Sequence, residues 1–109
     1  MSQTGCSAEG LDPFALRVIG SSMEPEFSDG HIILIDPGFP LLCGVYAVIH
    51  NNGEFIFGQY FQDDTGDWVH YLNPEFEPIK LEAGFEVKGV VIQRNGRKRK
   101  DIKRYDYAT

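Results

Sequence analysis

Short apolar runs, each closed by turn-forming residues, follow one another along the chain and leave almost no stretch with a helical period. β-Branched and aromatic residues fill these runs. Gly, Pro, Asn and Asp separate them at intervals of about 8 to 12 residues. This spacing is typical of barrels and sandwich-like folds built from many short strands. We therefore predict a mostly β fold.

The clearest local signal is a hairpin in the middle of the chain. Residues 45–49 and 54–61 are β-rich runs, and the link between them contains Asn52-Gly53, a pair favoured where positive φ is needed. Pro25 and a Ser-Asp-Gly stop limit any helix after the first strand to about one turn. Further strands are predicted over residues 14–19, 31–35, 68–72, 79–81 and 85–93.

The size and composition of the chain indicate one packed domain. It has 109 residues, of which 42% are hydrophobic. No apolar run approaches the roughly 20 residues that cross a bilayer, and the first residues lack the pattern of a signal peptide. We therefore expect a soluble, cytoplasmic protein with no membrane contact. Cys6 and Cys43 are predicted to be free thiols, with no metal and no cofactor, because two cysteines without histidine partners match no zinc site.

Composition divides the chain into three segments. Residues 1–12, rich in Ser and Gly, are predicted to form a flexible leader, and residues 13–93 the folded domain. Residues 94–109 form a basic tail, in which seven Lys/Arg face two Asp/Glu. The tail therefore carries +5, and since the whole chain carries −6, residues 1–93 carry −11.

The basic tail admits two interpretations. Its cations would suit nucleic acid or another acidic surface, and Tyr105 and Tyr107 would then be available to stack on bases. Alternatively the tail is solvated, or it folds back on the acidic body of the protein. The candidate nucleic-acid contacts are Arg97, Lys98, Arg99, Lys100, Lys103 and Arg104.

Gly20-Ser21-Ser22-Met23 resembles the turn that carries the nucleophilic serine in the LexA-like domain of self-cleaving repressors and of the mutagenesis protein UmuD. In that family a Gly-x-Ser-Met turn precedes a Phe-x-Asp-Gly-Asp-like segment and an apolar strand ending near Asp-Pro. Residues 27–31 and 32–37 match in order and spacing, and the resemblance continues through the hairpin, Leu72-Asn73-Pro74 and residues 87–91. It implies a LexA/signal-peptidase-like fold of short, strongly bent strands.

The resemblance implies that Ser22 is the nucleophile and that Gly20, Ser21 and Met23 shape the binding turn around it. A serine hydroxyl is a weak nucleophile until a base takes its proton, and this family uses a buried lysine for that purpose. The family's lysine ends a segment like Glu-Phe-x-Phe-Lys, whereas this chain has Glu-Phe-Ile-Phe-Gly, ending at Gly58. Glycine cannot accept a proton, so we expect impaired peptidase activity.

Other bases would have to reach Ser22 from elsewhere. A shift of one residue would bring Gln59 to the site, but an amide is not a base. His50 lies at the predicted hairpin turn, where exposure to solvent is the simpler expectation. The remaining cations outside the tail are Arg17, Lys80 and Lys88. Without the resemblance, we would interpret Ser22 as a small residue suited to a tight turn. Met23 and Phe27 would be interpreted as core residues.

The sequence also lacks the peptide bond that self-cleaving relatives cut. Self-cleaving relatives cut an Ala-Gly or Cys-Gly bond well before the serine, but only 21 residues precede Ser22 and none of their bonds matches; Gly5-Cys6 has the reverse order. We therefore expect no cleavage in cis. The same shortness leaves no room for the helix-turn-helix domain of repressors, unless the chain is a fragment of a longer regulator.

Two functions follow from these features. In the first, the chain is a non-catalytic, regulatory interaction module that forms a homodimer or binds a protein or peptide in the groove for the cleavage segment. The late apolar strand, residues 85–93, is predicted to offer an open edge for dimerisation. In the second, it is a serine peptidase that acts in trans with Ser22 and a non-standard base, in the SOS (stress) response or in the processing of transcription regulators.

Overall fold

The computed structural model describes residues 12–107, and in them eight strands form one antiparallel sheet. The residues before Asp12, which include most of the predicted leader and Cys6, lie outside the described part. The strands are β1 (Phe14–Arg17), β2 (Ile32–Asp36), β3 (Tyr46–Asn51), β4 (Glu54–Asp63), β5 (Gly66–His70), β6 (Ile79–Lys80), β7 (Glu86–Asn95) and β8 (Lys103–Arg104). The one helix in this range is a 3₁₀ turn, Arg99–Asp101. The prediction of a mostly β fold is confirmed.

The hairpin predicted around Asn52-Gly53 is present. Both residues have positive φ, 51° and 83°, which matches the twist of the two strands that they join. β3 and β4 pair without a register shift from Tyr46, opposite Gln59, to Asn51, opposite Glu54. β5 then pairs with β4, which completes the meander expected from the sequence.

The prediction of an open strand edge at residues 85–93 is wrong, because β7 lies in the middle of the sheet. The strand order is β1-β2-β7-β3-β4-β5-β6, and β8 also pairs with β7. One side of β7 pairs with β2, while the other side pairs first with β3 and then with β8. Val90 and Val91 are both fully buried, as in a strand covered on its two faces. An apolar run alone does not distinguish such a strand from an edge strand.

Two register shifts bend the centre of the sheet. One lies between Leu34 and Ile35 where β2 pairs with β7, and the other between Val48 and Ile49 where β3 pairs with β7. Such irregularities increase the local twist of a strand and allow a sheet to curl. The curled sheet covers apolar residues on both of its faces.

Two clusters of buried residues form the core. The Phe27 cluster consists of Val18, Met23, Phe27, Ile33, Ile35, Val48 and Val91. The Tyr60 cluster consists of Val45, Ala47, Ile49, Ile56, Tyr60, Val69, Leu81 and Val90. Because successive strand residues face opposite sides, Val48 and Ile49 of β3 belong to different clusters. The described residues contain no helix long and apolar enough to cross a membrane.

We expect Phe27→Ala to lower the free energy of unfolding by about 3–5 kcal/mol, because it leaves a cavity at a fully buried aromatic site. Phe55→Ala is the matched control, since the Phe55 side chain is 69% exposed and its removal should cost less than about 1 kcal/mol. Urea unfolding followed by circular dichroism measures both. Equal losses for the two variants would contradict the assignment of Phe27 as a core anchor.

Candidate functional site

Ser22 lies in the turn that follows β1, and buried neighbours fix this turn to the core. Met23 and Phe27 have no exposed surface, and the Phe27 N–H donates to the Met23 carbonyl at 2.9 Å. This single helical turn is what Pro25 and the following stop residues predict. Phe27 makes edge contacts with the rings of Tyr46 and Phe57. Ser22 therefore lies beside two fully buried residues, and displacing either of them would open the core.

Hydrogen bonds from distant segments hold the backbone on both sides of Ser22. The Asn73 N–H donates to the Ser22 carbonyl at 3.0 Å, and the Asn73 Nδ2 donates to the Ser21 carbonyl at 3.1 Å. The Gly20 N–H donates to Asp29 Oδ1 at 2.7 Å. The Leu72-Asn73-Pro74 segment, which the resemblance singled out, thus supports the turn directly.

Ser22 lines a small groove between β1 and the β3–β4 hairpin, which we call the Ser22 groove. The groove has a volume of about 300 Å³. The described residues provide no lysine, histidine or carboxylate among its walls. It is lined by Leu16, Arg17, Ile19, Ser22, Ile33, Val48, Phe55, Ile56, Phe57 and Tyr71. The surroundings of the hydroxyl are therefore mainly apolar.

The two ionisable groups of the Ser22 groove are unsuited to accept a proton from Ser22. The guanidinium of Arg17 presents only N–H donors and has no acceptor atom. Partial burial and the charge of Glu54 raise the pKa of Tyr71 above its usual value of 10, so its hydroxyl stays protonated near neutral pH. Neither group can activate the serine as a general base.

Gly58, the predicted position of the missing lysine, packs closely against β5. A Cβ atom at this position would lie 2.3 Å from Val69 Cγ1 and 3.0 Å from the His70 carbonyl oxygen. Val69 is fully buried and β-branched, so it cannot swing aside. Strand alternation points position 58 toward the same side as Ile56 and Tyr60 of the Tyr60 cluster. Gly58 itself is not one of the residues that line the Ser22 groove.

The other candidate bases lie outside the Ser22 groove. Gln59 Nε2 donates to the Gly44 carbonyl at 2.8 Å. His50 packs on Phe55 with 4.7 Å between ring centroids, and its Nδ1 is 3.9 Å from Glu86. Lys80 belongs to β6, at the far edge of the sheet. Lys88 lines an apolar pocket of about 460 Å³ whose walls include Leu16, Val48 and Phe55 of the groove.

The C-terminal segment folds back on the body through residue 107, and Glu26 is its anchor. Glu26 Oε2 accepts hydrogen bonds from Lys103 Nζ and from the Tyr105 hydroxyl, both at 2.7 Å. Arg94 lies 3.6 Å from the same oxygen and donates to the Glu26 carbonyl at 2.7 Å. No local sequence signal marks Glu26, because its partners are 68 to 79 positions away.

The two tyrosines considered for base stacking are used inside the fold. The Tyr105 ring packs beside Phe27 and Tyr46, each at 5.6 Å between centroids. The Tyr107 hydroxyl donates to the Val91 carbonyl at 2.7 Å. Burial and the neighbouring Glu26 carboxylate raise the pKa of Tyr105. The Tyr105 ring packs against the Phe27 cluster and the Tyr107 ring against the Tyr60 cluster.

Cys43 is an exposed free thiol in the described part of the chain. Between residues 12 and 107, no group of three or more His, Cys, Asp or Glu side chains is arranged to hold a metal ion.

Comparison with known proteins finds one matching family model and several similar regulators. The model described as Peptidase S24-like matches residues 3–92. Prophage repressor CohE of Escherichia coli (strain K12) is 37% identical over 94 residues, which cover 83% of this chain and 42% of that protein. The HTH-type transcriptional regulator for conjugative element R391 of Providencia rettgeri is 34% identical over 97 residues, 83% of this chain and 44% of the regulator. The chain thus spans less than half the length of these relatives.

Glu26→Gln should destabilise the protein at pH 7 by about 1–3 kcal/mol, because it weakens bonds to charged and partly buried donors. Partial burial raises the pKa of Glu26, but the bonds from Lys103 and Tyr105 outweigh it and leave the pKa below its usual 4.5. A lowered pKa contributes stability that is present above 4.5 and is lost as the pH falls through the folded-state value. The stability difference between wild type and variant should therefore shrink below about pH 4.

Glu77→Gln is the matched control for this measurement, since Glu77 is exposed. Urea unfolding between pH 3 and pH 7 compares the three proteins. A Glu26→Gln variant as stable as the control at pH 7 would refute the anchoring role of the carboxylate.

Proposed function

The chain belongs to the Peptidase S24-like family, and on this premise we propose that it is a regulatory interaction module whose peptidase chemistry is impaired. Membership confirms the resemblance that the residues around Ser22 and the hairpin predicted. The family includes LexA, UmuD and the repressors of phages. Similar domains occur in a prophage repressor and in transcriptional regulators of conjugative elements.

The absence of a base from the walls of the Ser22 groove is the observation that carries this proposal. Among the described residues the groove offers Ser22 only apolar neighbours, a tyrosine and an arginine. Residues 1–11 contain no lysine, arginine or histidine in their sequence. A serine hydroxyl without an adjacent base is a poor nucleophile, so the groove is better suited to binding than to hydrolysis.

The groove and its surroundings suit an extended apolar ligand or a second copy of the domain. Ile19 and Phe55 are largely exposed, and Phe14 and Leu16 of β1 are more than one third exposed. β1 pairs only with β2 in the described sheet, so its outer edge has free backbone groups. We place the dimer contact at this edge, where two copies of β1 would extend the sheet across a two-fold axis.

A regulatory role of this kind places the protein in the cytoplasm, as the sequence predicts. Control of transcription is the process in which we expect it to act, since this is the role named for the similar proteins. Contact with nucleic acid through the basic C-terminal residues is a separate, auxiliary part of the proposal.

The alternative function is a serine peptidase acting in trans, in the SOS response or in the processing of transcription regulators. Lys88 favours it, because this lysine lines an apolar pocket that shares three residues with the Ser22 groove. Against it, Lys88 Nζ is paired with Glu86 at 3.5 Å, and the Lys88 side chain is 41% exposed.

A serine-reactive fluorophosphonate probe distinguishes the two functions. We expect no labelling of Ser22 at pH 7 or at pH 9.5, as read by mass spectrometry of peptides, because no base lines the groove. Labelling that is lost in both Ser22→Ala and Lys88→Gln would establish the peptidase alternative and overturn the proposal.

A variant with a lysine introduced at position 58 provides the positive control. Gly58→Lys alone should cost about 1–3 kcal/mol of stability, because the new side chain collides with Val69. Gly58→Lys combined with Val69→Ala removes the collision with Val69 and leaves the 3.0 Å approach to the His70 carbonyl oxygen, and Val69→Ala alone is its reference. If position 58 is the lysine position, the double variant gains labelling at Ser22. A folded double variant without labelling would refute that assignment.

Dimerisation is tested by sedimentation at tens of micromolar protein. The wild type should sediment as a dimer, and Leu16→Glu should shift it to the monomer because it adds a charge to the apolar β1 surface. Leu42→Glu is the control, since Leu42 is similarly exposed but lies in a loop. A monomeric wild type, or equal effects of the two variants, would refute the contact at β1.

A further inference from the structure

A second cavity lies between β1, the turn before β2 and the 3₁₀ helix. It has a volume of about 630 Å³ and contains no large apolar side chain. We call it the basic cleft. It is lined by Arg17, Asp29, Gly30, His31, Arg97, Lys98, Lys100 and Asp101.

The cations of the basic cleft have no partner of opposite charge among the described residues. None of the four, Arg17, Arg97, Lys98 and Lys100, forms one of the ion pairs found in residues 12–107. One oxygen of each carboxylate in the cleft is engaged by backbone, since Asp29 accepts from the Gly20 N–H and Asp101 from the Lys98 N–H. Four positive and two negative side chains thus leave an excess of positive charge on a protein that carries −6 overall.

The fold divides six of the seven basic residues of the C-terminal segment into two sets; the seventh, Arg99, lies in the 3₁₀ helix and does not line the cleft. Arg94 and Lys103 bind Glu26, and Arg104 Nε donates to Gln93 Oε1 at 3.3 Å. These three side chains therefore make contacts within the fold. The cations at 97, 98 and 100 lie instead in the cleft, where the fold adds Arg17 from the other end of the domain. The sequence alone grouped all of the tail cations together and left Arg17 out.

His31 adds a neutral hydrogen-bond donor to the cleft. Its Nδ1 accepts from the Ser28 N–H at 2.9 Å. When one nitrogen of a neutral imidazole accepts, the other carries the proton, so Nε2–H is the donor that remains. The walls of the cleft therefore combine two guanidinium groups, two ammonium groups and an imidazole N–H.

We propose that the basic cleft binds the phosphodiester backbone of nucleic acid, which deepens the auxiliary nucleic-acid role proposed above and rests on it. Guanidinium and ammonium groups are the usual partners of phosphate oxygens. No Phe, Tyr or Trp side chain lines the cleft for stacking, so the contact follows the backbone and not the base sequence. An acidic protein partner is disfavoured, because protein interfaces depend on buried aromatic or aliphatic anchors that this cleft lacks.

Fluorescence anisotropy with a labelled 20-nucleotide oligo(dT) tests this proposal on the full chain between 50 and 200 mM NaCl. The cleft variant is Arg97→Gln with Lys100→Gln, two cleft residues that lie outside β1 and the Ser22 groove. The control variant, Arg99→Gln with Arg104→Gln, removes the same charge from residues that do not line the cleft. We expect the cleft variant to bind about tenfold more weakly, and the slope of log affinity against log salt to fall by about 1.4, or about 0.7 per lost phosphate contact. The control should change affinity less than about threefold.

Equal weakening in both variants, or none in the cleft variant, overturns the proposal. Binding of poly-glutamate but not of oligo(dT) would also overturn it, in favour of an acidic protein partner. A 20-base-pair duplex measured in parallel distinguishes single-stranded from double-stranded DNA as the source of the phosphates. Sedimentation and Ser22 labelling of the same samples keep the outcome separate from the regulatory proposal, because loss of DNA binding with both unchanged leaves that proposal in place.

Discussion

The full burial of Phe27 joins three parts of the chain that are distant in sequence. Its ring contacts Tyr46 and Phe57 of the hairpin and Tyr105 of the C-terminal segment. Glu26, the residue before it, receives the bonds from Lys103 and Tyr105. The Ser22 turn therefore takes its position from an aromatic cluster and a partly buried carboxylate, since the short helical turn itself supplies little stability.

Local features of the sequence predicted most of the fold. Apolar runs between turn residues predicted the strands, and Asn52-Gly53 predicted the hairpin, because these signals act over a few residues. The central place of β7 was not predictable in the same way. Whether an apolar strand is flanked on one side or on both depends on β3 and β8, whose pairing with it no local pattern encodes.

The candidate site was predictable to a smaller extent. A family resemblance, and not chemistry visible in the residues themselves, selected Ser22 and Gly58. The bonds from Asn73 to the Ser22 turn, and those that end at Glu26, depend on contacts between remote segments. The roles of the tail cations were not predictable for the same reason. Charge alone grouped Lys103, which pairs with Glu26, with Lys100, which lines the cleft.

The attachment of Tyr105 to Glu26 has a consequence for the order in which the protein is made. The two residues are 79 positions apart, and β8 pairs with β7 only through residues 103 and 104. In a chain that emerges from the ribosome N-terminus first, Glu26 gains these partners only after residues 103–105 have been made. Strand pairings of such long sequence separation also form slowly. The Ser22 turn thus gains its contacts with residues 103–105 only after the hairpin beside it has been made.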